Sequence, residues 1–202
     1  MSQHTKSRTP KSRSTQSNHL RIIAGKWRGR KVQFPDSQGL RPTSDRVRET
    51  LFNWLAPVIN EARCLDLFSG SGALSLEALS RGAAKVTMID ANARVSEQLR
   101  QNLKLLECDN ADLLTTDAIK WLKQDKATTE AFDVVFLDPP FNQQLVAPSC
   151  ELLDSQGLVE DGSYIYIETE AGLELQIPSS WQIHREKKAG QVAYYLCIKG
   201  AG

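Results

Sequence analysis

Phe132-Asp133-Val134-Val135-Phe136-Leu137-Asp138-Pro139-Pro140-Phe141 is the stretch whose reading decides the fold. Its run of β-branched and apolar residues is hydrophobic on both faces, as a central strand of a covered parallel sheet should be. The run stops at two prolines, which lack the N–H that a ladder needs. The chain must leave the sheet there, with Asp138 at the carboxyl end of the strand. In open α/β sheets that edge is where ligands bind. Asp138 offers a carboxylate, Pro139 a carbonyl in a stiff turn stiffened further by Pro140, and Phe141 a flat apolar ring. Two acceptors beside a stacking ring suit a planar group bearing an NH2, such as the exocyclic amine of a nucleobase. The plainer alternative is a rigid turn after a buried strand.

The same edge recurs upstream. Arg63 to Phe68 reads as a strand that runs into Ser69-Gly70-Ser71-Gly72 and then a helix from Ala73 to about Arg81. Glycines let the backbone turn tightly and let a ligand approach closely, and the helix start presents free N–H groups. Lys85 to Asp90 is the next strand, ending in a carboxylate about 20 residues past the turn, where a doubly wound fold places an acid on ribose hydroxyls. Asn92 caps a helix with Val95, Leu99, Leu103 and Leu106 on its apolar face. A nicotinamide site would want a third glycine or an alanine where Ser75 stands. Asp66, just before the turn, would add negative charge beside a pyrophosphate. It suits instead a cationic ligand end, such as the amino group of S-adenosylmethionine.

Downstream and at the start of the chain the alternation completes itself. Asp112 to Thr116 is a strand, with Asp117 and Ala118 at its carboxyl edge, where Asp117 could meet an adenine amine. A short helix runs through Trp121 and Leu122, and another covers roughly 143–155. Ser163 to Glu168 is a strand, and Trp181 to Glu186 with Val192 to Ile198 form an antiparallel hairpin around Lys187–Gln191. These elements predict an α/β, Rossmann-like fold: a mostly parallel sheet of about seven strands with one reversed. Leu20–Ala24 and Arg30–Phe34 read as a small N-terminal β-hairpin. A helix follows from Asp45, capped by Thr43 or Ser44, with Val47, Leu51, Trp54, Leu55 and Val58 facing the core. Arg41, Arg46 and Arg48 fall outside that face and could reach phosphate or a carboxylate.

Composition limits the function classes. The four cysteines and three histidines are scattered, which supports neither a metal site nor a histidine-based triad. No apolar run approaches a membrane span, and a reduced, cytoplasmic protein is expected. The net charge of +1 hides an asymmetry: residues 1–48 carry +10 and residues 49–202 carry −9. A basic arm on an acidic body points to a polyanion met through the N-terminal part. Residues 1–18 lack apolar periodicity and are expected to form a disordered basic tail, ahead of a single domain over 19–202 with 19–42 as its hairpin extension. The turn between the hairpin strands carries Lys26, Trp27 and Arg28, followed by Arg30. Cations interleaved with an aromatic suit RNA, through phosphate attraction and base stacking; a Trp that merely packs on the body is the alternative.

The glycine turn, Asp90, Asp117 and Asp138-Pro139-Pro140-Phe141, in this order, resemble the class I S-adenosylmethionine-dependent methyltransferases. Asp/Asn-Pro-Pro-aromatic marks those that methylate an amino nitrogen. Ile22–Arg30, Arg41–Glu49 and Leu65–Gly72 are similar to the RsmD family of bacterial 16S ribosomal RNA guanine-N2 methyltransferases, over about residues 20–199. A Phe stands at 141 where many amino methyltransferases carry Tyr. The resemblance implies that S-adenosyl-L-methionine is held by Asp66, Phe68, Ser69, Gly70, Gly72, Asp90, Asp117 and Ala118. It implies that Asp138 and the Pro139 carbonyl aim N2 of guanine 966 at the methyl while Phe141 stacks on the base. It further implies action on the small ribosomal subunit or its assembly intermediate; RNA contact by Lys26, Trp27, Arg28, Arg30 and Arg41, and a monomer, are expected beside it. Methylation of adenine N6 or a protein glutamine, an idle assembly factor, and a nicotinamide dehydrogenase are the competing readings.

Overall fold

The computed structural model describes residues 18–35, 43–124 and 130–200. In chain order the elements are β1 (Asn18–Arg21), β2 (Lys31–Phe34), α1 (Asp45–Trp54), β3 (Arg63–Asp66), α2 (Ala73–Ser80), β4 (Lys85–Asp90) and α3 (Ala93–Leu105). There follow β5 (Ala111–Thr115), α4 (Ala118–Leu122), β6 (Val134–Leu137), α5 (Val146–Ser155), β7 (Tyr164–Glu170), β8 (Trp181–Ala189) and β9 (Val192–Lys199). A seven-stranded sheet has the order β5-β4-β3-β6-β7-β9-β8, and β1-β2 form a separate antiparallel pair. The first five strands of that order are parallel. β9 runs antiparallel to both β7 and β8, so one strand is reversed, as the sequence predicts.

All of β6 is buried. Val134 and Phe136 join one hydrophobic cluster with the β1-β2 pair and residues of α1, α2 and α3. Val135 and Leu137 join a second cluster with residues of α4 and α5. This is the two-sided burial that made the strand apolar throughout. The connections on either side of β3 and β6 diverge along the sheet, so the ends of these two strands form the crevice of the fold.

The departures from expectation have local causes. β1 ends at Arg21 rather than Ala24, because the N–H groups of Ile23 and Ala24 donate to the carboxylate of Glu77, at 2.9 and 3.0 Å. Asn18 is already in β1, so the hairpin begins inside the stretch expected to be tail; residues 1–17 of that tail lie outside the described residues. Ser44, not Thr43, caps α1 by accepting from Val47 N. α5 starts at Val146 rather than 143, because Asn142 and Gln144 take left-handed conformations, φ 62 and 52. Lys187–Ala189 belong to β8 rather than to the turn, which shrinks to Gly190-Gln191 with Gly190 at φ 63. A glycine at the first position of a two-residue turn suits the type II′ hairpin.

Arg48 is the clearest correction. The helical spacing set it outside the core face, yet it is 0 % exposed. One guanidinium nitrogen donates to Asp45 Oδ1 at 2.6 Å and to the Arg21 carbonyl at 3.0 Å. The other faces Glu77 Oε2 at 3.4 Å. Glu77 is equally buried and also accepts from Arg81 Nε at 2.7 Å. The charge is internal because the N-terminal hairpin lies over α1 and α2, and its backbone amides supply the remaining donors.

Candidate active site

Asp138 follows the last residue of β6 at the carboxyl edge of the sheet. Its Oδ2 accepts from Thr43 Oγ1 at 3.1 Å. Thr43 is buried and sits just ahead of α1, so the start of that helix positions the carboxyl. On the other side lies β7. Leu137 pairs with Ile167, so the next row sets Asp138 beside Glu168, which is 8 % exposed and accepts from Tyr166 OH at 2.8 Å. Burial first, and then the Glu168 carboxylate, hold the Asp138 carboxyl well above the usual carboxylate range, against the opposing hydrogen bond from Thr43. The charge of Asp66 adds to the upward shift. Pro139 is buried, Pro140 exposed, and the Phe141 ring is 39 % exposed. A cleft of about 590 Å³ opens beside this loop, lined among others by Pro139, Phe141, Val146, Glu168 and Leu173. Its size and mixed lining suit a nucleoside-sized group.

The glycine turn follows β3, the strand that pairs with β6. Gly70 N donates to Asp90 Oδ2 at 2.9 Å, and Asn92 N to Asp90 Oδ1 at 2.7 Å, which ties the turn to the end of β4. Burial raises the Asp90 carboxyl against these two bonds. Gly72 caps α2 with φ 78, and a Cβ there would meet Leu99 Cδ2 at 2.7 Å. Only glycine allows both the left-handed turn and the close approach of α3. Asp66, the last residue of β3, is 2 % exposed and accepts from Ser75 Oγ. Burial pushes its carboxyl up to about 7, opposed by the Ser75 hydroxyl and by backbone amides of Phe68 and Ser75. Ser75 is therefore the partner of Asp66, which explains why the third small position of this turn carries a hydroxyl. Ser69 is held by Ile89 O at 2.9 Å, and Phe68 is half-buried beside it. Asp117 is exposed at the end of β5 and caps α4 through Lys120 N at 2.7 Å, with Ala118 buried behind it.

The fold thus gathers Asp66, Asp90, Asp138 and Glu168 along one edge, with three of the four carboxyls raised. Crowded carboxylates in a desolvated crevice attract a cation and favour groups that donate hydrogen bonds. Thr43, Ser75 and Glu168 were missed by sequence reasoning. Thr43 left no signal beyond its capping role. Glu168 did leave one: it is the acid that ends the predicted Ser163–Glu168 strand, as Asp66, Asp90 and Asp138 end or follow theirs.

The expected RNA contacts lie elsewhere. Lys26 N donates to Ser80 O at 2.8 Å, and Arg30 Nη2 donates to Leu105 O at 3.0 Å. Ser80 and Leu105 are the last residues of α2 and α3, so this loop sits at the helix ends remote from the glycine turn. Along the 13 residues of α3 that separation is about 20 Å. Trp27 is 6 % exposed within the core, with Lys26 Nζ 4.3 Å from its ring centre. It packs on the body and is not presented for base stacking. Arg28 is exposed, and Arg41 lies outside the described residues.

Known proteins resemble the chain over nearly its whole length. The family model described as "Conserved hypothetical protein 95" matches residues 20–198. The ribosomal RNA small subunit methyltransferase D of Escherichia coli K12 is 53% identical over 89% of this chain and 90% of its own length. The solved structure of yhhF from Escherichia coli is 49% identical, covers 92% of this chain and 100% of its own, and has a TM-score of 0.84. An RNA methyltransferase from Salinibacter ruber, solved with S-adenosyl-L-homocysteine, shares the fold at 17% identity and a TM-score of 0.62, over 80% of this chain and 95% of its own. The match runs from the N-terminal hairpin to the last strand and takes in Gly70, Gly72, Asp90 and the Asp138–Phe141 loop: the chain belongs to the RsmD family.

Proposed function

We propose that this protein is an S-adenosylmethionine-dependent ribosomal RNA methyltransferase that methylates the exocyclic N2 of guanine 966 of 16S RNA, acting as a monomer on the small subunit or its assembly intermediate. The observation that carries the reading is the carboxylate-lined edge running from the glycine turn to Asp138-Pro139-Pro140-Phe141. A cofactor bearing a sulfonium and an ammonium fits it. The buried Asp66 carboxyl suits the ammonium, Asp90 the ribose hydroxyls, Asp117 with Ala118 the adenine, and Gly70 and Gly72 the close backbone approach.

When bound, S-adenosylmethionine supplies an activated methyl, so the protein has alignment and charge stabilisation left to do. Asp138 and the Pro139 carbonyl accept the two hydrogens of the guanine amine and aim its lone pair. Phe141 stacks on the flipped base. Transfer would form the N–C bond as the methyl's bond to sulfur breaks, leaving a neutral thioether, and the Asp138 carboxylate is placed to stabilise the positive charge gained by the nitrogen. The raised proton affinity of Asp138, set by burial and then by Glu168, suits it to take the departing proton. Thr43 holds the carboxylate in position.

The test is transfer of labelled methyl to small-subunit particles from cells lacking this protein, with free 16S RNA and DNA alongside, followed by nucleoside digestion. Label in N2-methylguanosine, confined before digestion to the one nuclease fragment that holds guanine 966, is the expected result. Label in N6-methyladenine would replace the substrate, and no label despite measurable cofactor binding would overturn the assignment.

A further inference from the structure

The strand order divides the carboxyl edge into two halves. The glycine turn, Asp90 and Asp117 follow β3, β4 and β5 on one side. Asp138 stands at the divide. The other side is formed by the end of β7 and, because β9 is reversed, by the tip of the β8–β9 hairpin. With the cofactor on the first half, a macromolecular substrate reaches Asp138 over the second.

That second half carries an unusual strand. β8 is the edge of the sheet, and all of its residues after Trp181 are exposed. It bears His184, Arg185, Lys187 and Lys188 against one acid, Glu186, in a segment, 49–202, whose net charge is −9. Arg63, Arg81, Lys85, Arg100 and Lys199 of that segment form ion pairs. Among the described residues Arg185, Lys187 and Lys188 form none; Arg94, Lys104, Lys120 and Lys123 form none either, but they belong to α3, α4 and the end of α4 on the cofactor half. Lys187 pairs with Tyr194 across β9, and Tyr194 with Glu168 across β7, which is the row of Asp138. Three strand spacings separate Lys187 from Asp138, about 14 Å. Its ammonium lies 5.9 Å from the ring centre of the half-buried Trp54, which packs on Tyr194. Cations along an edge strand also deter strand pairing, but that role does not require Lys187 to share the row of Asp138.

We propose that Arg185, Lys187 and Lys188 on β8 hold the phosphate backbone of the RNA that flanks the target nucleotide. The proposal rests on the RNA-methyltransferase reading and moves the phosphate contacts nearest the site from the Lys26–Arg30 loop to the opposite end of the molecule. Arg185 and Lys187 on one face of the edge strand and Lys188 on the other, without acidic partners among the described residues, do two things beside an acidic crevice. They offset its repulsion of a polyanion, and they anchor the strand so that one base can enter the crevice.

The experiment uses the full chain with Lys187→Gln and Lys188→Gln combined, and Lys26→Gln with Arg28→Gln as the comparison. Binding to small-subunit particles and to a single-stranded RNA oligonucleotide is followed across salt concentrations, beside cofactor affinity and melting temperature. For Lys187→Gln/Lys188→Gln the slope of log binding constant against log salt should become shallower by about 1.5 for the two contacts. The KM for particles should rise several-fold, with cofactor affinity and melting unchanged. An unchanged slope overturns the proposal, including the case in which the variant self-associates, which would assign β8 to edge protection. A wild-type protein that binds RNA with the expected slope but transfers no methyl would overturn the proposed function and leave this surface standing.

Discussion

The protonation of Asp66 gives the sharpest test of how the cofactor is held. Burial pushes its carboxyl up to about 7, so in cofactor-free protein near neutral pH about half the molecules carry the proton. An ammonium or sulfonium nearby favours the ionised form. If only that form holds the cation, affinity declines tenfold for each pH unit below the pKa. Between about pH 7.5 and about pH 5.5 the dissociation constant should rise roughly 25-fold, or ~2 kcal/mol. The ligand's own α-amino group, with a pKa near 8, stays mostly charged across this window. Calorimetry in buffers of different ionisation heat should show about half a proton released per cofactor bound near pH 7.

Asp66→Asn separates this acid from Asp90 and Asp138, which the cofactor's charge would also affect. The variant should lose most of the pH dependence and bind roughly tenfold or more weakly near pH 7.5, as expected for a lost charged hydrogen bond. The same substitution should stabilise the cofactor-free protein, and the sign follows from linkage. A carboxyl whose pKa is higher folded than unfolded costs the native state nothing below about 3.8. The cost grows as pH rises to about 7 and is constant above it. The gain from Asn should therefore be absent near pH 4 and greatest above pH 7, where it approaches roughly 4 kcal/mol. A wild-type affinity that is flat from pH 5.5 to 7.5 would refute the placement of the cation at Asp66.

The remaining predictions concern the neighbours. Glu168→Gln keeps an acceptor for Tyr166 but removes a like charge from Asp138, so the ascending limb of kcat against pH should move to lower pH; a limb that stays in place rules out electrostatic control of Asp138. Thr43→Val, which removes the hydroxyl without changing shape, should lower kcat about tenfold while leaving cofactor affinity intact, checked by single-turnover kinetics beside calorimetry. Arg48→Met leaves Glu77 with Arg81 and the Ile23 and Ala24 amides but removes the cation buried beside it, and should cost about 3 kcal/mol in denaturant unfolding; Glu77→Leu, which leaves both amides and Arg81 without their acceptor, should cost at least as much, and a smaller loss for Glu77→Leu would show that the carboxylate does not organise the hairpin. Gly72→Ala forces a left-handed alanine against Leu99 and should weaken both stability and cofactor binding, read by melting and titration.

Much of the fold was legible because its strands are short, apolar and punctuated. Val134–Leu137 declared itself by being hydrophobic on both faces, and the acids at the ends of β3, β4, β5 and β6 could be placed on one edge before any contact was known. What the sequence could not show were pairings between distant segments. Thr43 reaches Asp138 across 95 positions and Ile23 reaches Glu77 across 54; neither leaves a local pattern. Arg48 was misplaced because a helical period reports the face that packs on apolar partners, not a face whose charge is matched by a buried acid. Trp27 was misjudged for the converse reason. A basic, aromatic turn has the composition of an RNA contact whether its ring faces outward or, as here, closes the core beneath Lys26.

The placement of the acids also implies a coupling between binding and stability. Asp66, Asp90, Asp138 and Glu168 share one desolvated edge, and like charges gathered there disfavour ionisation of one another. A protein carrying such a cluster without its cation must hold protons or accept strain, and both costs fall when the cation arrives. The cofactor then stabilises the native state by mass action, in proportion to its concentration over its dissociation constant, and increasingly so as pH rises from 5.5 to 7.5. The rise in melting temperature at saturating S-adenosylmethionine should therefore be larger at pH 7.5 than at pH 5.5 for the wild type, and nearly equal at the two pH values for Asp66→Asn. Equal shifts in the wild type would mean that the edge is already ionised and compensated by the protein itself, which would place the cofactor's charge away from these carboxylates.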